Sequence, residues 1–268
     1  MADSLERARA LLGRAPRVLV FTGAGVSAES GVPTFRGPGG LWKTFRPEDL
    51  ATPEAFARDP RLVWEWYGWR REIVAGCRPN AAHVAIARWM MLRDGVTLVT
   101  QNVDDLHERG AVDAARALAL EGRFPAGGEA AARSRAAPVR LHGALVVSRC
   151  TRCGGERVDV EPVDASSLDT LPRCACGGLE RPGVVWFGEA LPDGALSGAF
   201  AAAGSAAVCL VVGTAGAVHP AAAVVHATAG AGGAVIVVDP GPTAYDALAD
   251  VRLMGAAGEL LPGLLGER

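Results

Sequence analysis

No excess of charge of either sign marks this chain. Over 268 residues, 27 Lys and Arg stand against 29 Asp and Glu, a net charge of −2. Nucleic acids and anionic membrane surfaces are usually met by a basic patch or run, and the sequence has none, so neither is an expected partner. Long apolar runs are missing too. Residues 194–238 contain no Asp, Glu, Lys or Arg, but the stretch is mostly Ala and Gly, and Ser205, Gly213, His219, Pro220 and His226 interrupt it. It falls short of the roughly 20 strongly apolar residues that span a bilayer, and reads as a buried strand–helix–strand unit. The first residues, Met1 to Arg7, carry early acids and no apolar signal core. They predict the opening turns of an amphipathic helix and a cytoplasmic protein. Without a secretion signal, the six cysteines do not suggest a disulfide framework. Aromatic residues make up only 6 % of the chain, which makes the cluster Trp64-Glu65-Trp66-Tyr67-Gly68-Trp69-Arg70 conspicuous.

Half of the residues are hydrophobic, enough for one large domain or for a large domain with a small insert. The chain is organised around Val18 to Arg36. A short β-branched run there ends in Gly23-Ala24-Gly25, and small and capping residues follow. A buried parallel strand turns in this way into a helix N-terminus that lets a backbone approach a ligand. Glycine at 23 and 25 removes the Cβ atoms that would block a phosphate, and the amides beyond supply donors. Ala28 stands where a full dinucleotide fingerprint has its third Gly, so an ordinary tight turn fits as well.

Further strands are predicted at 96–100, 139–141, 207–213 and 234–238, with helices at 3–13, 82–92, 219–229 and 258–265. Their alternation predicts an α/β, doubly wound parallel sheet. Polar residues follow two strands directly, at Gln101-Asn102-Val103-Asp104 and at His142, where an open α/β sheet places ligand contacts. Residues 108–138, rich in Ala, Arg and Gly, read as a surface insertion that is helical near 111–119 and otherwise loose. Cys150-x2-Cys153 and, twenty residues on, Cys174-x-Cys176 offer four thiolates. Four such ligands close a tetrahedral Zn2+ site of the structural kind. Cys77 and Cys209 read as packed residues.

The ungapped run Gly-Ala-Gly-x-Ser-x-x-Ser-Gly-x-Pro-Thr-Phe-Arg, from Gly23 to Arg36, resembles the opening motif of the sirtuins, NAD-dependent protein-lysine deacylases. Thr-Gln-Asn-Val-Asp at 100–104, Leu-His-Gly at 141–143, the paired cysteines, Val-Val-Trp-Phe-Gly-Glu at 184–189 and Gly-Thr-Ala at 213–215 extend the resemblance over nearly the whole chain. It implies a Rossmann-like large domain over about 1–36, 93–143 and 182–268. A smaller, discontinuous zinc-binding and helical domain would span about 37–92 and 144–181, with the zinc module at 150–176. It implies NAD as co-substrate, held by Gly23, Ala24, Gly25, Ser27, Ala28, Glu29, Pro33, Thr34, Phe35, Arg36, Gln101, Asn102, Val103, Asp104, Gly213, Thr214, Ala215, Asp239 and Ala257. One structural Zn2+ would sit on Cys150, Cys153, Cys174 and Cys176, although the Cys174/Cys176 spacing is tighter than the family's.

The chemistry implied is transfer of an acyl group from a lysine to ADP-ribose, with His142 as general base and Asn102 beside the reacting ribose. Asn102 and Asp104 equally suit a helix cap near 105. Tyr67 and Arg70 stand three apart on one helix face, and a phenol and a guanidinium there could grip a carboxylate. A packed aromatic stripe is the other reading. Tyr-x-x-Arg at this place resembles the class III branch, which removes succinyl, malonyl and glutaryl groups; small Ala51 would leave room for the longer chain. Val185, Phe187, Gly188 and Glu189 read as an extended edge for pairing with acylated-lysine proteins or peptides. Ala215 replaces a hydroxyl residue common in the family, and Asp239 stands for the usual Asn, which suits a ribose diol and so NAD rather than NADP. Two alternatives remain at this stage: an enzyme that is mainly a deacetylase, and a non-catalytic NAD or ADP-ribose sensor.

Overall fold

A computed structural model of the protein describes residues 2–34, 40–41 and 46–266. The first helix, α1 (Ala2–Arg14), leads into β1 (Val18–Thr22), all five of whose residues are buried. A single turn, α2 (Gly25–Ala28), follows the glycines. Three helices then pack together: α3 (Pro47–Leu50), α4 (Pro53–Arg58) and α5 (Pro60–Gly76). Each has Pro in its first turn, where a missing amide costs nothing, and Thr52 and Asp59 cap the latter two through their side chains. Asn80 caps α6 (Ala81–Leu92), which returns the chain to β2 (Val96–Thr100).

The crossover from β2 to β3 (Val139–Arg140) runs through α7 (Leu106–Leu120) and α8 (Glu129–Arg135). The helix expected near 111–119 lies within α7, whereas the rest of 108–138, expected to be a loose surface insertion, carries α8 and packs on the main core. Ala111, Ala114, Ala115 and Leu118 are buried in the main core with Ala132 and Ala136. Their spacing is helical, but most of the buried groups are single methyls, which give a weak periodic signal. Next come the antiparallel strands β4 (Gly143–Cys150), β5 (Glu156–Val158) and β6 (Glu180–Val184). Finally α9 (Asp193–Ser205), β7 (Val208–Val212), α10 (Ala223–Gly230), β8 (Ala234–Val238), β9 (Val251–Leu253) and α11 (Ala257–Leu265) complete the chain.

The six-stranded sheet has the order β3-β2-β1-β7-β8-β9 and is parallel throughout. Side chains of α1, α6, α7, α8 and α11 fill the core on one face, and those of α9 and α10 fill it on the other. The sheet is therefore doubly wound, as expected. From β1 the chain runs outward to β2 and β3, then returns to β7 on the other flank of β1. A crevice opens at such a reversal, beyond the strands' carboxyl ends. The second sheet, β5-β4-β6, packs Leu145 and Val184 against Trp64, Trp66, Tyr67 and Trp186 in a third core cluster. Among the described residues, no helix is long and apolar enough to cross a membrane.

Candidate active site

The turn after β1 is shaped by a neighbouring loop as much as by any ligand. A Cβ on Gly23 would lie 2.6 Å from Thr214 Cβ, and one on Gly25 would lie 2.7 Å from Gly213 Cα. Gly213, at φ +60°, is constrained in return, since its own Cβ would meet Val26 N at 2.3 Å. Gly25 N–H donates to Gly213 O at 2.8 Å. The sequence left a phosphate cradle and an ordinary tight turn open for these glycines; close packing against Gly213 and Thr214 of the β7 loop by itself requires both. Overpacking against rigid backbone costs about 1–3 kcal/mol. Gly25→Ala is therefore expected to lower the free energy of unfolding, read from denaturant titration, by that much; an unchanged value would show that the β7 loop can move aside.

Loops from β1, β2, β3, β7 and β8 converge on the crevice. Ser27 Oγ donates to Asp104 Oδ2 at 3.0 Å and accepts from Asn102 Nδ2 at 3.1 Å. Asp104 Oδ1 also accepts the Leu106 amide at 3.1 Å. Asp104, one residue before the N-cap Asp105, thus bonds the first amide of α7 with one oxygen and Ser27 with the other, so a capping role does not exclude a ligand role for this residue. Burial pushes its carboxyl above the ordinary range, opposed by the Leu106 amide, the Ser27 hydroxyl and the Arg140 charge. Gln101 donates to Thr214 Oγ1 at 2.9 Å and so ties the β2 and β7 loops together.

His142, just past β3, brings Nδ1 within 2.9 Å of Gln101 O. A carbonyl oxygen only accepts, so Nδ1 carries the proton and Nε2 presents a lone pair. Burial lowers the His142 pKa below its usual value, opposed by the bond to Gln101, and favours the neutral ring.

Of the other residues assigned to the cofactor, Ala24 and Ala28 lie on the first turn, and the Val103 carbonyl is taken by Leu145 N at 2.8 Å. Glu29 reaches the last helix instead, accepting the Gly258 amide beside Ala257 at 2.6 Å. Asp239 follows β8 and accepts Gly241 N–H at 2.8 Å; burial raises its pKa. Ala215 is exposed beside Thr214. Pro33 and Thr34 precede a segment whose members Phe35 and Arg36 fall outside the described residues.

Tyr67 and Arg70 are both buried on α5, at 3 % and 7 % exposure. Tyr67 Oη accepts Trp186 Nε1–H at 2.9 Å, and burial pushes its pKa up to about 12, against the pull of Arg70. The Arg70 guanidinium lies 5.0 Å from the Trp66 ring centre and 5.6 Å from that of Tyr67. Burial lowers its pKa; Tyr67 and Asp104 oppose the shift. A small cavity beside Arg70 is lined by Val32, Pro33, Leu41, Ile73 and Val74.

The segment after β6 departs from expectation. Val185 N–H donates to His142 O at 2.9 Å, but Glu189 N–H closes a turn onto Trp186 O at 3.1 Å and Gly188 has φ +85°. Phe187 N–H is taken by Ala51 O at 3.0 Å. Residues 185–189 therefore form a turn with several amides already used, not an extended edge. Its stiffness comes from Glu189, which bonds the Trp186 amide at 2.8 Å and Arg181 Nη2 at 2.9 Å, while Arg181 stacks 3.3 Å from the Trp186 ring centre. Val185 thus stays paired with His142, and Phe187 with Ala51.

The four cysteine sulfurs lie within 4.8 Å of one another, with Cys150–Cys176 at 3.5 Å and Cys153–Cys174 at 3.7 Å. A zinc tetrahedron with Zn–S bonds of about 2.3 Å has edges of about 3.8 Å, so the set fits the ion. Arg152 and Cys153 amides donate to Cys150 Sγ at 3.3 and 3.5 Å, as thiolate ligands require. The tight Cys174-Ala175-Cys176 pair turns through Gly177 at φ +79°, with Gly177 N–H on Cys174 O at 2.8 Å.

Sequence reasoning passed over several residues that shape the site. Thr22 Oγ1 donates to Thr100 Oγ1 at 2.8 Å and lies 3.0 Å from His107 Nε2, so His107 is the donor there. Thr100 Oγ1 in turn accepts the Asn102 amide at 3.0 Å. His83 Nε2 lies 3.3 Å from Ser27 Oγ. A Thr at the last position of two adjacent buried strands was the available signal, because a buried hydroxyl needs partners.

A sequence model of the Sir2 family matches residues 23–125 and 129–220. A Pyrobaculum aerophilum protein, NAD-dependent protein deacylase 2, is 46 % identical over 96 % of this chain and 93 % of its own length. NAD-dependent protein deacylase 1 of Pseudomonas aeruginosa is 48 % identical over 95 % of each chain. A solved Sir2 homologue in complex with NAD superimposes with a TM-score of 0.81 at 41 % identity, covering 97 % of this chain and 92 % of that one. With the glycine turn, the strand-end network around His142 and the four-cysteine cluster in place, the chain belongs to the Sir2 family.

Proposed function

We propose that the protein is an NAD-dependent protein-lysine deacylase that prefers acidic acyl groups, succinyl and malonyl above acetyl. The observation that carries the preference is the buried Tyr67–Arg70 pair on α5. Tyr67 Oη already accepts from Trp186, which leaves its proton to donate, and Arg70 adds a fixed guanidinium. Together they offer an acyl carboxylate charge-assisted hydrogen bonds, whereas an acetyl methyl gains nothing from them. A carboxylate is also the group that best repays the burial of the guanidinium.

NAD supplies the ribose carbon that takes the acyl oxygen, with nicotinamide as leaving group and O-acyl-ADP-ribose as product. The chain's own residues then have defined tasks. Ser27, Asn102 and Asp104 form one linked set that orients the ribose and the nicotinamide amide. Nε2 of His142 removes a proton from a ribose hydroxyl. The turn 185–189 binds the peptide beside that base. Support for an acyl-lysine partner comes from a Sir2 protein solved with a myristoylated histone peptide, 29 % identical over 99 % of this chain at a TM-score of 0.72. The reading divides the chain into a Rossmann-like domain (about 1–36, 93–143 and 182–268) and a smaller zinc and helical domain (about 37–92 and 144–181).

The test compares kcat/KM on one peptide carrying acetyl-, succinyl- or malonyl-lysine, with and without NAD. Faster NAD-dependent removal of the two acidic groups is expected. Hydrogen bonds to charged groups contribute about 1.5–3 kcal/mol, so Arg70→Met should cost about 10–150-fold on those substrates and little on acetyl-lysine. Removal of acetyl alone would reduce Tyr67 and Arg70 to packing. No turnover on any peptide would leave an NAD-binding sensor.

A further inference from the structure

We infer that Arg140 is a positioning residue for the cofactor loop 101–104, and that Glu108 holds it in place. Arg140 ends the two-residue strand β3, paired with Thr100 of β2. Its guanidinium reaches under the loop that follows β2. Nη1 donates to Asn102 O at 3.1 Å, and Nη2 donates to Asp104 O at 2.7 Å. Glu108, in the first turn of α7, grips the same group from the other side, at 2.6 Å to Oε1 and 2.7 Å to Oε2. Both side chains are largely sheltered, at 18 % and 27 % exposure.

The rest of the loop is fixed by neutral partners. Gln101 N–H donates to Thr22 O, the Asn102 amide to Thr100 Oγ1, and Val103 O accepts from Leu145 N. The carbonyls of Asn102 and Asp104 are the two that end on a charge, and one planar fork spans both. Gripping carbonyls two residues apart sets the curvature of the loop between them. That curvature turns the Asn102 and Asp104 side chains together onto Ser27. No single hydroxyl or amide could bridge both carbonyls while answering a carboxylate, and a Lys ammonium lacks the rigid fork. An ion pair of this exposure adds little stability of its own, so the consequence of the clamp is geometric.

This inference rests on the reading that Asn102 and Asp104 hold the nicotinamide end of NAD. The test uses full-length, zinc-loaded protein and its Arg140→Met, Arg140→Lys and Glu108→Gln variants. It measures kcat, KM for NAD, KM for acyl peptide at saturating NAD, the Kd of ADP-ribose by calorimetry, and Tm. Arg140→Met should raise KM for NAD about tenfold or more, as the loss of two charge-assisted hydrogen bonds implies. KM for peptide should move less than about threefold, and the Kd of ADP-ribose, which keeps the ribose but lacks nicotinamide, should weaken less than KM for NAD rises. Arg140→Lys should fall between, and Glu108→Gln should show a smaller shift in the same direction. An unchanged KM for NAD in a folded Arg140→Met protein would overturn the proposal. So would equal losses in every parameter that simply follow Tm. If Arg140→Met does not fold, the two milder variants decide on the same criterion. Failure of the underlying reading is separate, because Asn102→Ala and Asp104→Ala would then leave KM for NAD unchanged in the parent background.

Discussion

Replacing His142 with Ala should abolish turnover while leaving NAD binding close to normal. General-base catalysis by a placed imidazole contributes about 10^2–10^4-fold, and the loss in kcat should lie in that range. The reason lies in the tautomer. Nδ1 is committed to the Gln101 carbonyl at 2.9 Å, so Nε2 alone of the ring nitrogens can take a proton. The same bond sets the angle of the ring, whereas the mutual hydrogen bonds of Ser27, Asn102 and Asp104, the residues proposed to hold NAD, do not involve His142. The pH profile follows from the burial that lowers the His142 pKa. The base works when neutral, above its pKa, so the acid limb of kcat/KM should fall below the usual imidazole value of about 6.5. Full turnover in His142→Ala, or an acid limb above that value, would remove His142 from the mechanism.

Zinc removal should do broader damage. The three-stranded sheet is small, and β5 is exposed along its whole length, so apolar burial there holds little. What closes the far end is the cluster of Cys150, Cys153, Cys174 and Cys176. In such modules metal binding supplies much of the folding free energy. The loss reaches the active site because β4 starts at Gly143, directly after His142, and β6 runs into the turn at 185–189. Elemental analysis should find one zinc per chain. A loss of several kcal/mol corresponds to a fall in Tm of about 10 °C or more for a chain of this size, and chelation or Cys150→Ser should produce it together with loss of activity. Restored zinc should restore both in the chelated protein. A metal-free protein with unchanged Tm and activity would sink the assignment.

Much of this was legible because function forced rare residue types into fixed places. The strands at 18–22, 96–100 and 234–238 are rich in β-branched and apolar residues and are followed by polar or glycine residues, so pattern and site announce each other. The cysteine cluster was readable from spacing alone. The failures have physical causes. The crossover α7 and α8 buries alanines, whose methyl groups hardly distinguish inside from outside. Three-residue β9 is too short for any period. The turn at 185–189 looked extended because Val185, Trp186 and Phe187 favour strands, while Glu189 and Arg181 override that preference by tertiary hydrogen bonds. Arg140 and Glu108 lie 32 positions apart, and nothing in the sequence says that they meet.

The contact between Gly25 and Gly213 also bears on how the chain is made. A ribosome delivers β1 early, but the loop that braces its glycine turn belongs to β7, nearly 190 residues later. Parallel pairing across such separations is slow, because loop-closure entropy is lost before the contacts form. The last helix adds a further delay, since Glu29 waits for the Gly258 amide. The turn after β1 is completed only once β7 and α11 have been made. A nascent chain must therefore keep the apolar β1 soluble until β7 has been made.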